Sequence, residues 1–153
     1  MSGGTVVASS CLSLMATYSS TVQIETQGHN DVHDLTDRAE EALRSSGVQE
    51  GVMLVFTPGS TAGVTTIEFE SGAVDDLKKA IERLVPEKQH YAHDARWGDG
   101  NGFSHVRAAL LGPSLSVPVT HGRLLLGTWQ QIVLIDFDNR PRSRDVVFTV
   151  TGD

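Results

Sequence analysis

The stretch that most restricts the fold is Leu124–Phe137 (LLLGTWQQIVLIDF), which reads as one long strand. Ile132 and Leu134 fall on one face, and Val133, Ile135 and Phe137 on the other, because side chains alternate along a strand. A strand apolar on both faces must be covered on both. The domain core is the expected cover for one face and a second subunit for the other. Gly127 marks a bulge or a close approach by another group, and Trp129 is expected to pack in the core rather than stack on a substrate. Gln130 and Gln131 point to opposite faces, so at most one can face a site. The Thr120-His121-Gly122-Arg123 turn makes a hairpin of this strand and the alternating segment Leu115–Val119.

Upstream segments supply the rest of a mixed architecture. Thr17–Gln27 alternates Tyr18, Val22 and Ile24 with small polar residues, a half-buried strand. After Gly28-His29-Asn30, Asp31 or Asp34 is expected to cap a helix reaching about Ser45, closed by Gly47. His29 and His33 beside its start read as surface or capping residues. Gly51–Phe56 is a buried strand bounded by turn residues, and Gly63–Glu70 a further one. Gly72–Val85 is an amphipathic helix with Val74, Leu77, Ala80, Ile81 and Leu84 on its buried stripe, stopped by Pro86. Ser104–Leu111 is a strand or a short helix, and Val146–Val150 is the last strand. No internal repeat or linker divides the chain, so residues 17–153 form one domain after an extension at residues 1–16. That extension shows no periodicity, and Met15 is an equally good start.

The chemistry concentrates between His90 and His105, where His93, Asp94, Asp99 and Asn101 are interleaved with Gly98, Gly100 and Gly102. Neutral imidazoles ligate zinc and similar ions, and Asp94 can orient a ligand or donate an oxygen. A long polar loop inside a compact domain is more often functional than connective. The Pro58-Gly59-Ser60-Thr61 turn reads either as an anion nest, with backbone N–H groups and two hydroxyls, or as a plain hairpin loop.

With 12 Lys and Arg against 19 Asp and Glu, the net charge is −7. Basic residues are scattered apart from the Arg140–Arg144 cluster, which disfavours nucleic acid and anionic membranes but leaves room for a local positive pocket. No apolar run spans a bilayer. A single cysteine, Cys11, excludes an internal disulfide and fits a cytoplasmic location. There is no P-loop, no G-x-S-x-G and no G-x-G-x-x-G after a strand.

Several of these segments together resemble the family named after the bacterial protein YjbQ (UPF0047, secondary thiamine-phosphate synthase-like proteins). They are RLVPE (Arg83–Glu87), YAHD (Tyr91–Asp94), NGFSHVRAALLGPSL (Asn101–Leu115), the Pro118–Gly122 turn and LGTWQQIVLIDFD (Leu126–Asp138). The resemblance covers Thr17 to Gly152. It implies an α+β domain built on a β-sandwich of about seven to eight strands with two flanking helices, assembling as a homotrimer. It also implies a metal or phosphate site at the histidines of the two polar segments, and a thiamine-phosphate synthase activity joining a pyrimidine diphosphate to a thiazole phosphate. His93, Asp94 and His105 are then the candidate catalytic residues, with His93 and His105 as ligands of a zinc or magnesium ion. Gly59, Ser60, Thr61, Asn101 and Gln130 are the candidate contacts to a phosphorylated small molecule. Many members of the family carry a histidine where this chain has Gly59, which leaves His90 or a carboxylate as third metal ligand and makes the turn a better phosphate nest. A non-catalytic metal- or ligand-binding trimer is the alternative.

Overall fold

Alternating and continuous apolar patterns resolve into eight strands and four helices in the computed structural model, which describes residues 15–153. In chain order they are β1 (Ala16–Thr26), β2 (Asp31–Asp34), α1 (Thr36–Ser46), β3 (Gly51–Phe56), β4 (Ala62–Ile67) and α2 (Ser71–Leu84). Then come α3 (Ala92–Trp97), α4 (Gly102–Leu111), β5 (Ser114–Thr120), β6 (Arg123–Leu124), β7 (Gln131–Asp136) and β8 (Arg142–Gly152). All but the last residues of the expected extension lie outside the described residues. No helix among them is long and apolar enough to cross a membrane.

The strands form two antiparallel sheets, ordered β1-β8-β3-β5-β6 and β2-β7-β4. Met53, Val55, Val117, Val146, Phe148 and Val150 from the larger sheet meet Val64, Ile132 and Leu134 from the smaller one, with Leu35, Ala39 and Leu43 of the α1 region completing this core. The smaller sheet's other face carries Val133, Ile135 and Phe137, which pack on Leu77 and Ile81 of α2 and Ala108 and Leu111 of α4. The molecule is therefore layered as sheet, sheet, helices. Both faces of β7 are covered within one chain, so the expectation that a second subunit covers one of them is corrected.

Other departures share one cause, tertiary pairing that local patterns do not show. Four helices are present among the described residues where two were expected. Asp31–Asp34 pairs with β7 as β2, so α1 starts later, although the Asp34 carboxylate still accepts from the Thr36 N–H at 2.8 Å. Gly47 ends α1 with a φ of 72° as expected, a left-handed geometry that favours glycine. The β4 strand stops at Ile67, and the Glu70 carboxylate caps α2 by accepting from the Gly72 N–H at 2.9 Å. The stretch 124–137 is not one strand. The chain leaves the larger sheet after β6, crosses at residues 125–130 and enters the smaller sheet as β7. Trp129 sits on that crossover and is 71% exposed, not in the core. Likewise β3 and β4 belong to different sheets, so the Pro58–Thr61 turn is a crossover and not a hairpin.

Candidate functional site

The stretch read as a polar loop contains α3, closed by Gly98 at a φ of 71° with its N–H on the Asp94 carbonyl. The α4 helix follows four residues later. Asp94 joins the two helices, because its carboxylate accepts the N–H of Gly102 at 2.8 Å, an anion satisfying a free donor at a helix start. Only glycine fits there. A Cβ at Gly102 would lie 2.6 Å from Tyr91 Cβ and 3.0 Å from the Asp94 carboxylate. Tyr91 is itself held by its hydroxyl, which donates to the Pro86 carbonyl at 2.6 Å.

These helices bring His93, Trp97, Asp99, Asn101 and His105 to one wall of a cleft of about 540 Å³. The other wall is the crossover at Gly59, Ser60 and Thr61 together with Asp138, Arg142 and Arg144. The imidazole rings of His93 and His105 stack at 4.5 Å between centroids, tilted by 38°. His93 Nδ1 lies 3.2 Å from Asp99 and 3.7 Å from Asp94, yet neither contact is aligned as a hydrogen bond, and the buried nitrogen has no partner. The Asn101 amide faces Asp99, and its nitrogen donates to the two carboxylate oxygens at 3.2 and 3.3 Å in the orientation that satisfies both groups.

The opposite wall rests on ion pairs at the end of the sandwich. Arg144 and Asp136 point inward from facing sheets and pair in bidentate fashion, Nε to Oδ2 at 2.8 Å and Nη2 to Oδ1 at 2.7 Å. Arg142 donates from Nε to Asp138 Oδ2 at 2.8 Å, and its Nη2 forms an ion pair with the same oxygen at 2.8 Å. The Thr61 hydroxyl donates to Asp138 at 3.0 Å and accepts from Arg144 at 2.7 Å. Burial resists ionisation of Asp138, but the hydrogen bonds from Thr61, Arg142 and the Asn139 N–H outweigh it and hold the carboxyl below its ordinary value.

Of the residues singled out in the sequence, His93, His105, Asn101, Gly59, Ser60 and Thr61 come together around this cleft, with Asp94 immediately behind His93. Gln130 does not join them. Its side chain accepts from the Gly127 N–H and donates to Thr66 at the far end of β4. The Thr61 hydroxyl proton is already committed to Asp138, which leaves Ser60 as the uncommitted hydroxyl of the turn. His90 is exposed and outside the cleft. His33 pairs with Asp31 and His29 with Glu87, both outside the cleft. Arg142, Arg144 and Asp138 were not named as site residues. Their signal was the i, i+2 spacing of the two arginines, which a strand places on one face.

Residues 20–153 match the family model described as UPF0047 protein YjbQ-like. A UPF0047 protein of Archaeoglobus fulgidus is 39% identical over 124 residues, covering 81% of this chain and 94% of the relative. YugU of Bacillus subtilis, also a UPF0047 protein, is 35% identical over 133 residues, covering 86% and 98%. A crystal structure from Sulfolobus solfataricus superposes with a TM-score of 0.86 at 29% identity, covering 91% of this chain and 99% of the other. One of a YjbQ/UPF0047 protein from Clostridium acetobutylicum gives 0.78 at 30%, covering 85% and 98%. By sequence over nearly all its described length and by the same two-sheet fold, this chain belongs to the UPF0047, YjbQ-like family.

Proposed function

We propose that the cleft binds a phosphorylated small molecule. The observation that carries this reading is the placement of Arg142 and Arg144 beside Gly59 and Ser60 in a single cleft. Each guanidinium is fixed on one side by a buried carboxylate while its Nη1 has no hydrogen bond among the described residues. Anchored forks of this kind suit phosphate, whose oxygens accept several N–H donors at once. Gly59 takes a φ of 143°, which favours glycine, and a Cβ there would sit in contact with Arg144 Nη1 at 3.5 Å, on the nitrogen left for a ligand. The volume falls in the range of small-molecule sites, roughly 300–1,000 Å³.

The family resemblance names thiamine-phosphate synthesis as the candidate reaction. In it the thiazole ring nitrogen forms a bond to the pyrimidine's methylene carbon while the C–O bond to pyrophosphate breaks and its electrons leave with the pyrophosphate. The two arginines would neutralise that charge and the Ser60 hydroxyl would donate a hydrogen bond to it. His93, Asp94 and His105 stand on the facing wall as candidates for proton handling. A divalent metal there would add a further positive charge to the leaving group.

The same reading includes a homotrimer. Its support is apolar surface on this chain. Val52, Leu54 and Phe56 alternate along the outer side of β3 and stay exposed, and Leu84 and Leu110 stand out beside an apolar groove between α2 and α4. Contiguous exposed apolar surface marks an interaction face.

Calorimetric titration with inorganic phosphate and pyrophosphate tests the binding claim. Arg142→Met should weaken binding by about tenfold or more, as expected for a lost charged hydrogen bond of roughly 1.5–3 kcal/mol. Equal affinity in Arg142→Met and the parent would end the anion reading. Incubation with the pyrimidine diphosphate and thiazole phosphate then separates turnover from binding alone.

A further inference from the structure

We propose that His93, Asp94 and Asp99 form a divalent-cation site of the zinc class, with His105 outside the ligand set. The proposal rests on the geometry of these three side chains and not on the anion reading, which can fail without it.

The first ground is an orphaned donor. A buried polar atom almost always has a hydrogen-bond partner, and His93 Nδ1 has none. It faces a carboxylate oxygen of Asp99 at 3.2 Å and one of Asp94 at 3.7 Å. All three donor atoms lie within 4.8 Å of one another. Ligands about 2.1 Å from a common ion, at angles between octahedral and tetrahedral, are separated by roughly 3.0–3.5 Å. The His93–Asp99 separation falls in that range and the His93–Asp94 separation lies just above it, so a small closing of the three side chains would complete edges of a coordination shell, whereas misalignment excludes a hydrogen bond.

The second ground is how the ligands are held. Metal-binding carboxylates are usually fixed by further hydrogen bonds behind them. The Gly102 N–H fixes Asp94 at 2.8 Å, and the Asn101 amide fixes Asp99. Gly102 has no room for a side chain between Tyr91 and that carboxylate, so the backbone comes close enough for its N–H to hold Asp94. The α3 helix places His93 and Asp94 side by side, and Gly98 and Gly100, both at positive φ, turn the chain so that Asp99 comes back over them.

The donor set then selects the ion. One imidazole and two carboxylates suit zinc and similar transition ions, whereas magnesium prefers oxygen ligands and retained water. Three protein ligands leave a coordination position free. His93 and Asp99 line the same cleft as Arg142, Arg144 and Ser60, so that position can be offered to whatever the cleft holds.

The test is calorimetric titration of chelator-treated full-length protein with zinc and with magnesium, without phosphate. Zinc should bind one-to-one and more tightly than magnesium. His93→Ala and Asp99→Asn should each weaken zinc binding by at least tenfold, and His105→Ala should change it by less than threefold. Asp99 is 45% exposed at its side chain, so Asp99→Asn keeps the fold if His93→Ala does not, as circular dichroism will show. The proposal is overturned if the parent does not bind zinc, if Asp99→Asn binds it like the parent, or if His105→Ala loses it as His93→Ala does. Phosphate affinity measured in the same variants reports separately on the anion reading.

Discussion

Thr61 shows how a residue chosen for one role can be held by another. Its hydroxyl donates to Asp138 and accepts from Arg144, both almost fully buried. Thr61→Val keeps the shape but strands those partners, which should cost about 1–3 kcal/mol, read as a lowered denaturation midpoint. The Arg144–Asp136 pair beside it is more sensitive, with side chains 10% and 0% exposed. Arg144→Leu leaves a buried carboxylate unpaired and should cost roughly 3–5 kcal/mol. Asp138 adds a pH dependence. Its native pKa is lowered, so its contribution is complete above the ordinary aspartate range, roughly pH 4, and is lost as pH falls through the lowered native value. Removing the Thr61 hydrogen bond should bring that value back up and move the acid-unfolding midpoint of Thr61→Val to higher pH. An unchanged midpoint in an ellipticity titration would contradict this account.

At the level of elements, α4 is the hinge between scaffold and site. Its first turn carries His105 into the cleft, while its buried side ties the helical layer together. The Ser104 hydroxyl donates to the Phe137 carbonyl at 2.6 Å. Arg107 donates to the Val85 carbonyl and to Asn30 Oδ1 at 2.9 Å, pairs with Glu82 and lies over the Phe103 ring. A buried arginine is tolerated because nearly every donor finds an acceptor. Arg107→Met should cost about 3 kcal/mol through the orphaned carbonyl and amide, visible in thermal unfolding, while Arg107→Lys should recover only part of that loss because an ammonium lacks the planar fork. Nothing in the helical pattern of Ser104–Leu111 announces this role. Its apolar residues are too evenly spread to separate strand from helix, and the polar partners of Arg107 come from two distant parts of the chain, Asn30 and the end of α2.

For the whole molecule, the two apolar faces of β7 were legible, but what covers them was not. The α2 and α4 helices supply the second cover, so any subunit contact has to use another surface. The outer side of β3 is the surface to test, because Val52, Leu54 and Phe56 line up there in the middle of the larger sheet. If copies of the chain meet on this face, Leu54→Glu places a charge in the contact and should convert the assembly to monomer with little change in the fold of the single chain. Light scattering decides it. A monomeric parent would end the trimer proposal, and an unaltered trimer in Leu54→Glu would move the interface elsewhere.

What the amino-acid order determined by itself is local. The β3 strand was bounded by its turn residues, although it buries one face and not both; α2 was bounded by Pro86, although Leu84 of its expected buried stripe is 77% exposed. The end of α1 was marked by a glycine able to take positive φ, and the crowding of histidine, aspartate and glycine between residues 90 and 105 marked one side of the site. Steric and periodic constraints act over a few residues, so they can be read without knowing the fold. Tertiary structure decided which strand joins which sheet, the break of residues 124–137 into two strands and a crossover, the exposure of Trp129, and the meeting of Arg142 and Arg144 with the Gly59–Thr61 turn. Those outcomes depend on pairing and charge contacts between segments far apart in the chain, Thr61 with Asp138 and Arg144 or β1 with β8, and no window of sequence carries the energy of a partner that lies outside it.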